Sequence, residues 1–187
     1  TTWVGATAFL ANGRPAPEGT EIHYEVNNGR FVSDVVPVGG VYGQSDNQYI
    51  AGQRTGIATL RAFVINQGDS IVYSNEVEIR LQAGDPTQID LVATPRELST
   101  NNPGLYSTIV ATVRDTAGNA VGEGILVTFE TTLGALDKAS DATSDSGKSI
   151  VELSPGVSSG VAQITATVNA PFGPITKTTT VDIASSG

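Results

Sequence analysis

In "TEIHYEV", residues 20–26, Ile22, Tyr24 and Val26 fall on one side and His23 and Glu25 on the other. An alternation of period two is the mark of a strand with one buried face, which predicts that Ile22, Tyr24 and Val26 face a core. "GIATLRAFVI" (56–65) and "GVAQITATVN" (160–169) alternate in the same way, and in "LVTFE" (126–130) Val127 and Phe129 alternate with Leu126, Thr128 and Glu130. "SIVYSNEVEIRL" and "ITKTTTVDIAS" read as closing strands behind the turn signals "NQGD" and "PFGP". Nowhere does a helical stripe persist over three turns. Strands at roughly ten-residue spacing, divided by Gly-rich turns, predict an all-β chain of antiparallel sandwiches.

The pattern is written twice. "LANGRPAPEGTEIHYEVNNGRF" (10–31) overlays "DTAGNAVGEGILVTFETTLGAL" (115–136), Glu18-Gly19 meeting Glu123-Gly124 and Gly29 meeting Gly134 at a shift of 105 residues. Further on, Gly56, Ala58, Leu60 and Ala62 overlay Gly160, Ala162, Ile164 and Ala166 at a shift of 104, so the copies differ by one residue between the two anchors. A period this long is a whole domain. The predicted domains are 1–84 and 85–187, joined by the short, Pro-containing stretch "LQAGDPTQ". Such a link restricts swivel, and end-to-end domains would form a rod of ~70–80 Å.

The second copy carries an additional opening, "DPTQIDLVATPRELSTNNPGLYS" (85–107), in which "TQIDLVA" reads as a first strand. The first copy has no such segment before its shared part. Domain 1 is therefore expected to lack its N-terminal strand and to leave one sheet edge uncovered, for backbone from outside residues 1–187 to fill.

Composition narrows the function classes. Of 187 residues, 39 % are apolar and 16 % charged, enough to build a core and too few charges for disorder. The formal charge of -9, with acids in excess in both copies, repels phosphate backbones and anionic lipid surfaces, which argues against nucleic-acid partners and membrane insertion. The chain has no Cys, which removes thiolate chemistry and disulfides, and no Met, so it reads as part of a longer or processed protein.

Candidate chemistry is sparse. His23, the sole histidine, would have to serve any Ser-His-Asp arrangement, yet its alternation with Ile22 and Tyr24 places it on the outer face of a sheet. One His and no Cys do not complete a zinc site. Asp137, Asp141 and Asp145 recur every four residues, but in turn-like sequence without a D-x-D-x-D-G run, which suits turn and solvent roles better than a weak cation site; Asp85 and Asp90 read likewise. No cofactor is expected, and no enzymatic activity. Trp3, Tyr42, Tyr49 and Tyr73 are the aromatics that could form a binding platform. Of these, Tyr42 and Tyr49 lie in the stretch 33–54, where the first copy diverges from the second and which reads as a loop.

The sequence from "DLVATPRELSTNNPG" through "VRDTAGNAVGEGILVTFETTLGAL", "TSDSGKSIVEL" and "GVAQITATV" resembles the group 1 bacterial Ig-like domains of invasin- and intimin-type surface proteins. The matching positions are Val113, Asp115, Gly118, Asn119, Val121, Gly122, Val127, Phe129, Gly134, Leu136, Ser144, Asp145, Gly147 and Leu153, and the resemblance covers residues 86–184. It implies tandem immunoglobulin-like sandwiches on the outside of a bacterial cell, in a stalk, filament or adhesive assembly. The implied partners are neighbouring domains or other subunits, or a host protein or glycan. Two readings follow: a non-catalytic spacer, or a binding module that uses the 33–54 stretch with Trp3, Tyr42 and Tyr49.

Overall fold

The computed structural model describes residues 1–102 and 104–185, and all of its regular structure is strand. The chain forms two compact units, Thr1–Leu81 and Gln82–Gly187. Unit 1 contains β1 (Thr2–Thr7), β2 (Glu21–Val26), β3 (Gly29–Phe31), β4 (Val35–Pro37), β5 (Gln44–Ala51), β6 (Gly56–Ile65), β7 (Ile71–Tyr73) and β8 (Val77–Leu81). One sheet has the order β1-β5-β3; the other runs β4-β2-β6-β7, with β8 also pairing to β6.

Unit 2 contains β9 (Gln88–Thr94), β10 (Glu97–Ser99), β11 (Ser107–Arg114), β12 (Leu126–Thr131), β13 (Ala135–Leu136), β14 (Ser140–Ala142), β15 (Lys148–Ser154), β16 (Gly160–Ala170) and β17 (Gly173–Ala184). Its sheets are β13-β15-β11-β9 and β10-β17-β16-β12-β14. Setting β1 against β11, β5 against β15 and β6 against β16 leaves β9 and β10 without counterparts in unit 1. The expectation that the first sandwich lacks its N-terminal strand holds.

The duplication extends to individual hydrogen bonds. Thr2 pairs with Tyr49 as Ser107 pairs with Leu153. The Ala8 N–H donates to Gly43 O at 2.8 Å, and the Val113 N–H donates to Gly147 O at 2.9 Å. Gly43 and Gly147 share φ near +70°, and a Cβ at either would lie 2.4 Å from Ala8 O or 2.8 Å from Val113 O, so only glycine fits where these backbones touch. The one-residue difference between the copies sits just before this glycine. The turn closed by the Gly39 N–H to Gln44 O bond is one residue longer than that closed by Ser144 N–H to Lys148 O, and the longer turn carries Val41 and Tyr42.

The stretch 33–54 is therefore no loop. It holds β4 and all of β5, whose inward positions are Ser45, Asn47 and Tyr49. The two polar side chains are tied down: Ser45 Oγ donates to Val36 O at 3.2 Å and lies 3.1 Å from the Tyr24 hydroxyl, and Asn47 Nδ2 donates to Ser33 O at 2.6 Å, while the Tyr24 hydroxyl also donates to the Ser45 backbone O at 2.8 Å. A buried acceptor left without its donor costs free energy, and the packing needs the Tyr24 ring but not its oxygen. Tyr24→Phe should thus destabilise unit 1 by about 0.5–1.5 kcal/mol in urea unfolding; no change would mean that the bond contributes nothing.

The two cores differ in make-up. Unit 1 packs Tyr24, Phe31 and Tyr49, with ring centroids 5.1 and 5.9 Å apart, where unit 2 has Phe129, Leu136 and Leu153. The Tyr49 hydroxyl is satisfied by Asn28 O at 2.5 Å. Large rings fill volume with few residues, which suits a sandwich with fewer strands to contribute.

Candidate functional site

Of the three expected partner-binding residues, the structure exposes Trp3 (70 %) and Tyr42 (71 %) and buries Tyr49 (2 %). Tyr49 leaves the candidate set because its position on β5 faces inward and its ring closes the aromatic core against Phe31. Trp3 stands on the outer face of the β1-β5-β3 sheet opposite Gln48, whereas Tyr42 caps the turn at the other end of the same strand pair, beyond Gln44 and Thr7. The two do not form one platform. Tyr42 and Val41 instead share their end of unit 1 with exposed Phe9 and Leu10, because Gly43 is bonded to Ala8. The corresponding positions of unit 2 are Asp145, Ser146, Arg114 and Asp115. One end of unit 1 is thus apolar where its duplicate is charged, a contrast invisible without the structural overlay.

His23 does lie on the outer face, in a row that crosses four strands: Val35, His23, Phe63 and Tyr73. Its ring stacks on Phe63 at 4.7 Å, Phe63 meets Tyr73 at 5.5 Å, and the Arg61 guanidinium lies 4.2 Å over Tyr73 while bonded to Glu25. The same row in unit 2 is Thr128, Thr167 and Thr176. Because the ring faces in unit 1 cover one another, this row is a cross-strand stabilising ladder and not an open aromatic platform, each pair contributing about 0.5–1.5 kcal/mol.

The acids of unit 2 organise backbone. Asp137 accepts the Glu152 N–H at 2.8 Å, and Asp141 accepts the Ile150 N–H at 2.8 Å as well as Lys138 Nζ at 2.7 Å. Burial pushes the Asp141 carboxyl up, but Lys138 and the Ile150 amide outweigh it and hold the group below its ordinary range. Asp145 sits exposed in the hairpin turn. Asp90 is held low chiefly by the Arg114 guanidinium 3.0 Å away and then by Gln88. Among the described residues no three His, Asp or Glu side chains gather as ligands for a metal ion. Nor is any described helix long and apolar enough to cross a membrane.

A groove of about 420 Å³ lies between the β1 edge of one sheet and the β7–β8 edge of the other in unit 1. Val4, Ala6 and Ala8 line one wall, Val72 and Val77 the other, with Phe31 and Leu60 at the floor. Sequence reasoning located the open edge; the apolar channel behind it appears only in three dimensions.

Neither a protein-family model nor a curated protein matches the sequence. Among solved structures, InvD of Yersinia pseudotuberculosis overlays 98 % of this chain on 52 % of its own, at 22 % identity and a TM-score of 0.62. In fold, the chain is like the bacterial Ig-like domains of invasin- and intimin-type proteins. The D0-D1 domain of intimin matches at 19 % identity over 97 % of this chain and 91 % of that one, with a TM-score of 0.42. The structure of invasin, titled a bacterial integrin-binding protein, matches at 20 % over 100 % and 40 %, with a TM-score of 0.49. The chain thus spans about half the length of the InvD structure.

Proposed function

We propose that the chain is a non-catalytic, load-bearing spacer of a bacterial cell-surface protein, placed between the cell and an adhesive part. The observation that carries this is the pairing of β10 with β17. These strands stand near the two ends of unit 2 and run parallel, Glu97 beside Asp182 and Ser99 beside Ala184, with the Asp182 N–H on Arg96 O at 2.8 Å and the Thr100 N–H on Ala184 O at 3.1 Å. Tension applied through the chain loads these bonds in shear, so several must break together instead of unzipping singly. Leu98 anchors the clamp in the core. The invasin-type fold and the use of acidic side chains on backbone amides support the same role.

Pulling the whole chain by its ends in single-molecule force spectroscopy tests this. Unit 2 should give the higher unfolding force, unit 1 the lower, since β8 has no parallel partner among the described residues; Leu98→Ala should lower the force of unit 2 alone. Equal forces, or a force unchanged by Leu98→Ala, would remove the load-bearing role.

A second reading is favoured by the apolar tip formed by Phe9, Leu10, Val41 and Tyr42. If this tip binds a host protein or glycan, Tyr42→Ala should abolish attachment of chain-coated beads to host cells while shifting stability by less than about 0.5 kcal/mol. Beads that never attach, or attach equally with the variant, leave the spacer reading alone.

A further inference from the structure

We propose that Asn12 is a site of self-modification: in the folded chain its side-chain amide is lost through a succinimide formed with Gly13, which leaves aspartate or isoaspartate in the turn that carries the exposed Phe9 and Leu10. This modification is independent of the load-bearing role, which concerns unit 2. Two asparagines of the chain precede glycine, Asn12 and Asn28. A following residue without a Cβ leaves its backbone nitrogen free to approach the Asn Cγ. In the reaction the bond from the glycine nitrogen to Cγ forms, the Cγ–Nδ2 bond breaks, and the glycine amide proton leaves with Nδ2 as ammonia. Water then adds to one of the two ring carbonyls: attack at the side-chain carbonyl gives aspartate, and attack at the main-chain carbonyl gives isoaspartate.

The structure separates the two asparagines. Asn12 is exposed, and its Nδ2, the leaving group, has no hydrogen-bond partner among the described residues. Its Oδ1 accepts the Arg14 N–H at 3.1 Å, a donor aimed at the oxygen on which negative charge develops as the nitrogen adds. The Gly13 N–H has one acceptor to leave, Leu10 O at 2.9 Å, and no atom stands within 4 Å of the place a Gly13 Cβ would take, so the turn has room to rearrange. Asn28 is locked. Its Nδ2 donates to Arg54 O at 3.0 Å, its main-chain O accepts the Tyr49 hydroxyl at 2.5 Å, and Gly29 pairs with Ala51 between β3 and β5. Gly52 packs so closely that a Cβ there would overlap the Asn28 carboxamide. Turning that carboxamide onto the Gly29 nitrogen breaks these contacts together and requires local unfolding.

The duplicate builds the same turn without the reactive pair. There the Asp115 carboxylate accepts the Asn119 N–H as Asn12 accepts that of Arg14, and Ala117 holds the place of Asn12, so unit 2 has no amide to lose. Modification therefore changes one copy only. A carboxylate adds a negative charge to the turn of Leu10, and the isoaspartate form routes the backbone through one more carbon. That extra carbon lies inside the ring closed by the Leu10 N–H on Arg14 O at 2.8 Å, and the closure is lost.

The test ages the whole chain in mildly alkaline buffer, folded and in urea, and follows the peptides that hold Asn12 and Asn28 by mass, with enzymatic methylation of isoaspartate as a second readout. In the folded chain Asn12 should convert at least about tenfold faster than Asn28, and in urea the two rates should converge because the contacts that lock Asn28 are gone. Asn12→Gln should remove the isoaspartate signal from its peptide and leave the slow conversion of Asn28 unchanged. Equal rates in the folded chain, a faster Asn28, or conversion of Asn12 only in urea overturns the site. Hydrogen exchange on the aged chain reads the consequence: the Leu10 amide should lose protection as isoaspartate accumulates, and it should keep protection in equally aged Asn12→Gln. Protection retained in a fully converted chain overturns the opening of the turn.

Discussion

Ile109→Ala should destabilise unit 2 by about 2–5 kcal/mol, whereas the matching Val4→Ala in unit 1 should cost less than about 1.5 kcal/mol. Both side chains sit on the first strand shared by the two copies, and both point between the sheets. Ile109 is fully buried with Ile89 and Leu91 in the same core, so truncation leaves a cavity that close-packed neighbours cannot collapse to fill. Val4 has the groove beside it, and part of its surface already meets water, so truncation removes less buried area and creates no enclosed void. Amide exchange measured separately over β15 and β5 in the whole chain reads the two costs. Equal costs would show that the β1 edge is as well covered as β11.

The fold was legible because most inward positions are apolar and alternate without interruption. Ile22 and Tyr24 are buried where their period placed them, and His23 between them faces outward. The stretch 33–54 was not legible for the opposite reason. Along β5 two of the three inward residues are Ser45 and Asn47, whose polarity hides a strand that β15 displays openly with Ser149, Val151 and Leu153. Specific hydrogen bonds of Ser45 with Tyr24 and Val36, and of Asn47 with Ser33, make those polar residues tolerable inside, and no periodicity rule can see such partners in advance. Tyr49 was misplaced with its strand. The site features were legible only in outline: an overlay of two copies announces a missing strand, but whether the vacated space is collapsed or open depends on packing. Here the walls stand apart, with Tyr24 and Phe31 among the residues that line the space between them.

Asp115→Ala should cost unit 2 about 2–3 kcal/mol, although the residue touches no core side chain named above. Its carboxylate, 7 % exposed, accepts the N–H groups of Ala117 and Asn119 at 2.9 and 2.8 Å, the Asn119 side-chain amide at 3.1 Å, and the Gly84 N–H at 3.0 Å from the residues that lead into β9. Truncation would leave that turn and that entry unpinned together. Burial raises the carboxyl's proton affinity, but the Gly84, Asn119 and Ala117 donors outweigh it, so the folded value lies below the ordinary one. A depressed value in the folded state means that the stabilisation is complete above the unfolded carboxyl's range, near pH 4, and is lost as pH falls through the folded value. The destabilisation caused by Asp115→Ala should therefore be full at pH 7 and shrink below pH 4 in urea unfolding. Unit 1 provides the control: Leu10 occupies the same place and is exposed, its turn closed by backbone and by Asn12 Oδ1 on the Arg14 N–H at 3.1 Å, so Leu10→Ala should cost under about 0.5 kcal/mol with no pH dependence. An Asp115→Ala effect that stayed constant from pH 7 to pH 3 would show that the side chain acts by packing and not as an ionised acceptor.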